Sequence, residues 1–248
     1  MTIRRSTEDA VAVLTIDRPN RRNALSEDAV LSLKQHLRDI EADASVRATV
    51  ITGSPPGFCA GSDLKELSAM DVAGMCAHEA DTGSFCRSIS QLRKPVIAAV
   101  EGFALGGGFV FAVACDVIVS GASCRWHLPE VQIGWIPPWG LEMVVARVGP
   151  VAARRLAWGA EPMNGTEAHR IGLADYLADD GQALNRALEL AQRLAALPDV
   201  AVASVKSYFA PHAGRDGETG DVIANRMFAD NCRHPVALST LKKFGVRA

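Results

Sequence analysis

The sequence predicts an α/β fold that runs into an all-helical tail, and three observations carry that expectation. A strand–loop–helix order near the N-terminus recurs after Lys94. Its strands are short apolar runs rather than alternating ones, as in sheets covered on both faces. From Val200 onward only helical patterns occur, and no low-complexity linker separates them from what precedes.

The elements follow in order. Val11 to Ile16 reads as a strand. Ser26 suits an N-cap, with Glu27 and Asp28 in the first turn of a helix. Val30, Leu33, Leu37 and Ile40 share one face of that helix. Ala48 to Thr52 is a second strand, ended by Gly53 and a Pro-Pro-Gly turn. Pro95 to Val100 is a buried-type strand, and a triple-glycine turn then opens a helix over Phe109 to Cys115. Val117 to Ser120 and Cys124 to Trp126 are short strands. Helices are expected over Gly140–Val148, Val151–Trp158, Leu184–Leu197, Val202–Tyr208, Asp221–Cys232 and Val236–Phe244. The division this implies is a mixed core over residues 1–195 and a helical tail over residues 196–248 that packs on the core or on another subunit.

The bulk numbers narrow the function classes. A chain of 248 residues with 48% apolar residues can bury a sizeable core. A net charge of -2 argues against nucleic acid as a partner. No apolar run reaches the ~20 residues of a membrane span, and the N-terminus has no signal-peptide pattern. The six cysteines form no C-x-x-C pair and sit among apolar neighbours, so free buried thiols in the cytoplasm are expected. The six histidines show no ligand spacing, so no metal is expected.

Two stretches carry chemistry. In FCAGSDLKEL, Phe58 to Leu67, Gly61 permits a turn and a helix starts near Leu64. The N–H groups of Ser62 and Asp63 would then be unpaired. In KPVIAAVEGFALGGG, Lys94 to Gly108, three glycines before a helix let another group approach the backbone. There is no G-x-G-x-x-G and no P-loop lysine. Two N–H groups from separate turns are what a carbonyl needs when it becomes an oxyanion.

Together with DRPNRRNALS, ACDVIVSGASCRW and LPEVQIGWIPPWG, these stretches resemble the crotonase, or enoyl-CoA hydratase/isomerase, family over most of the chain. The resemblance implies a spiral of repeated ββα units whose C-terminal helices build homotrimers or hexamers. It implies an acyl-CoA substrate, with coenzyme A as part of the substrate and no separate cofactor. It matches Ser62 and Gly107 to the oxyanion hole. It brings Arg22 toward the coenzyme A phosphates and the backbone of Ala60, Asp63 and Leu64 toward the adenine. Lys242 and Lys243 are further candidates for the phosphates, although the tail lacks the family's E-G-x-x-A-F run.

The acid/base groups select the reaction. Hydratases of the family hold one water on two glutamates. The first position is Val110 here, and the second is Glu130 in a Pro-Glu pair. Trp126, Trp135, Ile136 and Trp139 flank Glu130 in sequence, so desolvation should raise its pKa. A single base beside an oxyanion hole suffices for a 1,3-proton shift, so 3-enoyl to 2-enoyl isomerisation with Glu130 as sole shuttle is the expectation. The alternatives are hydration, a lyase or hydrolase reaction on an unusual acyl-CoA, and a non-catalytic acyl-CoA binder. Dienoyl isomerases and aryl-CoA dehalogenases carry an aspartate where Pro138 stands, and dehalogenases carry a tryptophan at the Glu130 position. His127 is either a second proton carrier or a packed strand histidine. His78 and Glu79 fall in the Leu67–Leu92 segment, which forms the acyl pocket in relatives, and both are expected on a solvated helix face.

Overall fold

The structure, a computed structural model, describes residues 2–245. Residue 1 and residues 246–248, at the ends of the two expected regions, lie outside the described residues.

A six-stranded sheet forms the centre, in the order β1-β2-β3-β4-β6-β8. Its strands are β1 (Ile3–Glu8), β2 (Val11–Ile16), β3 (Ala48–Gly53), β4 (Val96–Val100), β6 (Val117–Gly121) and β8 (Tyr176–Ala178). β1 and β2 are antiparallel, and every later pairing in the sheet is parallel. The strand β5 (Phe103–Leu105) pairs in parallel with β7 (Arg125–His127) in a separate ribbon. β3 and β4 are buried along almost their whole length, which is why they read as unbroken apolar runs.

The helix α1 (Glu27–Ala42) starts where expected, with the Ser26 side chain accepting from the Ala29 N–H. The four-residue helix α2 (Leu64–Leu67) and the longer α3 (Val72–Ser88) follow. The short α4 (Gly107–Val113) follows the triple glycine. The two helices expected after Gly140 are present and adjoin as α5 (Leu141–Ala157), broken where Gly149 takes φ 76° ahead of Pro150. Next come α6 (Gly165–Arg170) and α7 (Ala183–Ala195). Ala183, Ala187 and Ala191 of α7 pack on Val50, Ile97 and Val119 of the sheet.

The tail is α8 (Asp199–Phe209), α9 (Gly217–Asn231) and α10 (Pro235–Gly245). α9 lies against α3, where Arg87 pairs with Asp221. α10 lies against α2. α8 buries none of its residues. The strands β1, β5 and β8 and the helix α6 were not foreseen from the sequence. β1 and β8 are edge strands with mostly exposed side chains, so they lack the apolar signal of their neighbours.

Candidate active site

Two turns run side by side and form one wall of a cavity of about 80 Å³. The chain from Cys59 to Ser62 lies along β5 and the glycines after it, and the Leu105 N–H donates to the Cys59 carbonyl at 2.9 Å. Gly61 sits at φ 86°, and a methyl group there would lie 2.8 Å from the Gly107 nitrogen. Only glycine satisfies both the conformation and the contact. Among the described residues, the backbone N–H groups of Ser62 and Gly107 have no backbone acceptor. A methyl group on Gly107 would lie 3.6 Å from the Ser62 nitrogen and 3.0 Å from Trp139 Cζ2. The missing side chain therefore leaves open the space in front of both donors. That is the arrangement of an oxyanion hole.

Asp63 departs from expectation. Its N–H is not free but donates to the Leu25 carbonyl at 3.1 Å. Its buried carboxylate pairs with Arg18 at 3.0 Å and caps α2 through the Lys65 N–H. It holds the turn in place, and only Ser62 of the two keeps an open donor. The loop that carries Arg22 is fastened beside this turn. Buried Asn23 donates to the carbonyls of Ser54 and Gly57, both at 2.6 Å. The Ala60 N–H donates to the Arg22 carbonyl at 3.1 Å. Arg22 itself is exposed, with its guanidinium 4.9 Å from the centre of the Phe103 ring. Ala60 and Leu64 line the cavity rim. Lys242 and Lys243 are exposed on α10.

Glu130 forms the opposite wall. It begins a short 3-10 turn after Pro129 and is only 8% exposed. A methyl group on Gly106 would lie 2.9 Å from its Oε1, so the carboxyl reaches the triple-glycine turn. Its Oε2 is buried without a hydrogen-bond partner. Burial pushes its pKa up to about 8, and the nearby Glu79 carboxylate adds to the rise. Trp135 and Trp139 line the cavity with it, as expected, but Trp126 turns away and donates to Ser120. Val110 is buried in the same cavity and packs toward Gly140.

Glu79 overturns an expectation. It is 3% exposed and lines the cavity instead of a solvated face. Its Oε2 accepts from Trp139 Nε1 at 2.6 Å. Burial raises its pKa, and the neighbouring Ser62 and Trp139 side chains oppose the rise. Glu130 is therefore not the sole carboxylate. A sequence signal for Glu79 existed: Met75, Glu79, Thr82 and Cys86 fall at helical spacing on the buried face of α3. His78, one residue earlier, is half-buried. His127 is the packed strand histidine of the two readings. Its Nε2 lies 2.8 Å from the Gly159 carbonyl, and it does not line the cavity.

Residues 6–242 match the family model described as enoyl-CoA hydratase/isomerase. The chain belongs to the enoyl-CoA hydratase/isomerase family. It is 36% identical over 197 residues to the short-chain-enoyl-CoA hydratase of Clostridium acetobutylicum, covering 79% of this chain and 76% of the relative. It is 33% identical over 202 residues to the 2,3-dehydroadipyl-CoA hydratase of Escherichia coli, covering 81% and 78%. Among solved structures, an enoyl-CoA hydratase/isomerase from Mycobacterium paratuberculosis matches with a TM-score of 0.87 at 26% identity, covering 98% of each chain. The crotonase fold and an acyl-CoA enzyme of this family are thereby established. Among the described residues no helix is long and apolar enough to cross a membrane. Nor does any group of three or more His, Cys, Asp or Glu side chains among them gather as a metal site would require.

Proposed function

We propose that this protein adds water across the 2,3 double bond of an enoyl-CoA, through an enolate of the thioester. Ser62 and Gly107 hold the enolate oxygen on their N–H groups. Glu130 gives a proton to the α-carbon and takes it back in the reverse direction. The observation that carries this reading is the unpartnered, buried Oε2 of Glu130 facing a cavity that ends on those two donors. Hydration is favoured over other enolate reactions because a second carboxylate, Glu79, enters the same cavity. The relatives at 36% and 33% identity are named as hydratases, which points the same way.

A second reading is isomerisation of a 3-enoyl-CoA to the 2-enoyl product. Val110, in place of the family's first glutamate, favours it. The two separate in one assay pair. Crotonyl-CoA should lose its conjugated absorbance as the 3-hydroxy product forms. 3-Hexenoyl-CoA should gain that absorbance only if the enzyme isomerises. Failure with both substrates would return the chain to the class of acyl-CoA binders.

Arg22, Ala60, Leu64 and the turn held by Asp63 are the proposed coenzyme A contacts, with no cofactor beyond the coenzyme A of the substrate. Residues 196–248 are the proposed oligomerisation region of a homotrimer or hexamer. Val200, Val205, Tyr208 and Phe209 are exposed on α8 and support that assignment. Six free thiols fit a reducing cytoplasm.

A further inference from the structure

We propose that Glu79 is the second catalytic carboxylate, supplying from α3 the water-activating group that Val110 cannot supply from α4. The inference rests on the enoyl-CoA reading and deepens it. Three observations on different elements converge. Position 110 is a valine, so the family's usual carboxylate is missing from the cavity. Glu79 and Glu130 line that cavity together, and each is buried to within a tenth of its surface. The third is how Glu79 is held. Trp139 Nε1 donates to it at 2.6 Å, and the Ser62 side chain lies beside it.

The Trp139 donor distinguishes the roles. Hydrogen bonds to a carboxylate favour its charged form, whereas an unpartnered buried carboxyl favours its neutral form. Glu79 therefore carries the pair's negative charge at rest, and Glu130 carries the proton. Two like charges in one dry cavity oppose each other, which keeps the pair in that single state.

The step then balances. The water oxygen bonds to the β-carbon, and one water proton passes to the Glu79 carboxylate. The double-bond electron pair moves to the thioester, forming an enolate on the Ser62 and Gly107 N–H groups. The enolate collapses as the Glu130 proton bonds to the α-carbon. Glu79 ends protonated and Glu130 ionised, and one proton returning from Glu79 to Glu130 through solvent restores the pair.

The packing agrees with a preorganised group. Gly83 of α3 faces Trp139, where a methyl group would lie 2.7 Å from the indole Cβ. Trp139 is thereby pressed onto the helix that carries Glu79, and its N–H fixes the carboxylate. Ordering of this kind is what lets a base act without reorganising during the reaction.

The experiment compares wild type, Glu79→Gln, Glu130→Gln and Ser62→Ala with crotonyl-CoA across pH. Glutamine keeps the shape of Glu79 and can still accept from Trp139. We expect Glu79→Gln to lose roughly 100-fold or more in kcat, with KM within about threefold, and to lose the acidic limb of the kcat profile. Ser62→Ala should lose roughly tenfold and shift that limb to higher pH, because the charged form of Glu79 loses a polar neighbour that favours it. A merely structural Glu79 would lower stability and leave the limb in place. Turnover of Glu79→Gln within threefold of wild type, or an unmoved limb in Ser62→Ala, overturns the assignment of Glu79 alone. Absence of hydration by the wild type overturns the enoyl-CoA reading, and this inference falls with it.

Discussion

The two walls of the cavity do different work by different means. The wall of Ser62 and Gly107 is backbone, set by two turns that touch through Gly61. Its donors depend on chain path and not on side-chain identity. The wall of Glu130 and Glu79 is side chain, brought together from a turn after β7 and a helix between β3 and β4. Its groups depend on side-chain identity, and Glu79 reaches the cavity from α3 while Val110 stands in it from α4. The difference shows which half of such a site is set by chain path and which half by side chains.

The largest effect should come from the carboxylate wall. Glu130→Gln removes the proton donor to the α-carbon and should lower kcat by roughly 10²–10⁴-fold, measured with crotonyl-CoA. A loss under tenfold would break the comparison, because the side-chain wall would then carry little of the chemistry.

The backbone wall comes next. Gly107→Ala places a methyl group 3.6 Å from the Ser62 nitrogen, in the space the enolate oxygen needs. We expect roughly 10²–10³-fold loss in kcat, the size seen when an oxyanion donor is removed elsewhere. Thermal unfolding should change little, because only the Trp139 ring edge needs to give way.

A third effect tests the state of Glu130. Its folded pKa of about 8 lies above the ordinary 4.5. Hydration needs the protonated form, so kcat should fall as pH rises through about 8. The same shift makes a stability statement. The folded protein binds this proton more tightly than the unfolded chain does, so its contribution to stability is full below about 4.5 and is lost as pH rises through about 8. Glu130→Gln should flatten that part of the stability profile, as read by denaturant midpoints.

The smallest effect lies at the rim. Arg22→Ala should raise KM several-fold and leave kcat unchanged, because an exposed cation contributes only about 1 kcal/mol to a phosphate contact. A kcat loss from this change would mean that the rim reaches the chemistry.

The backbone wall was legible in the sequence because its cause is local. Gly61, Ser62 and the triple glycine lie within two short stretches, and each turn follows a strand with an unbroken apolar signal. Glu130 was legible only through the family resemblance, which matches its Pro-Glu pair to the second glutamate of relatives; by itself it reads as a surface glutamate after a proline. Glu79 was not read correctly. An acidic residue two before Asp81 in VAGMCAHEADTGSFCRS looks like a solvent-facing position, and its carboxylate is held by Trp139, which is 60 residues away. Asp63 was misjudged for the same reason. Its open N–H was inferred from the helix start at Leu64, but the acceptor, Leu25, comes from an earlier loop. Partners distant in the chain decided both of these corrections.

Solvent deuterium exchange at the α-carbon of butyryl-CoA tests the central claim most directly, because it isolates enolate formation from the addition of water. At a pH above 8, where Glu130 is ionised, wild type should exchange the α-hydrogen, and Glu130→Gln and Gly107→Ala should exchange it at least roughly 100-fold more slowly. No exchange by wild type, or exchange by either variant at the wild-type rate, would contradict an enolate held by Ser62 and Gly107 and served by Glu130.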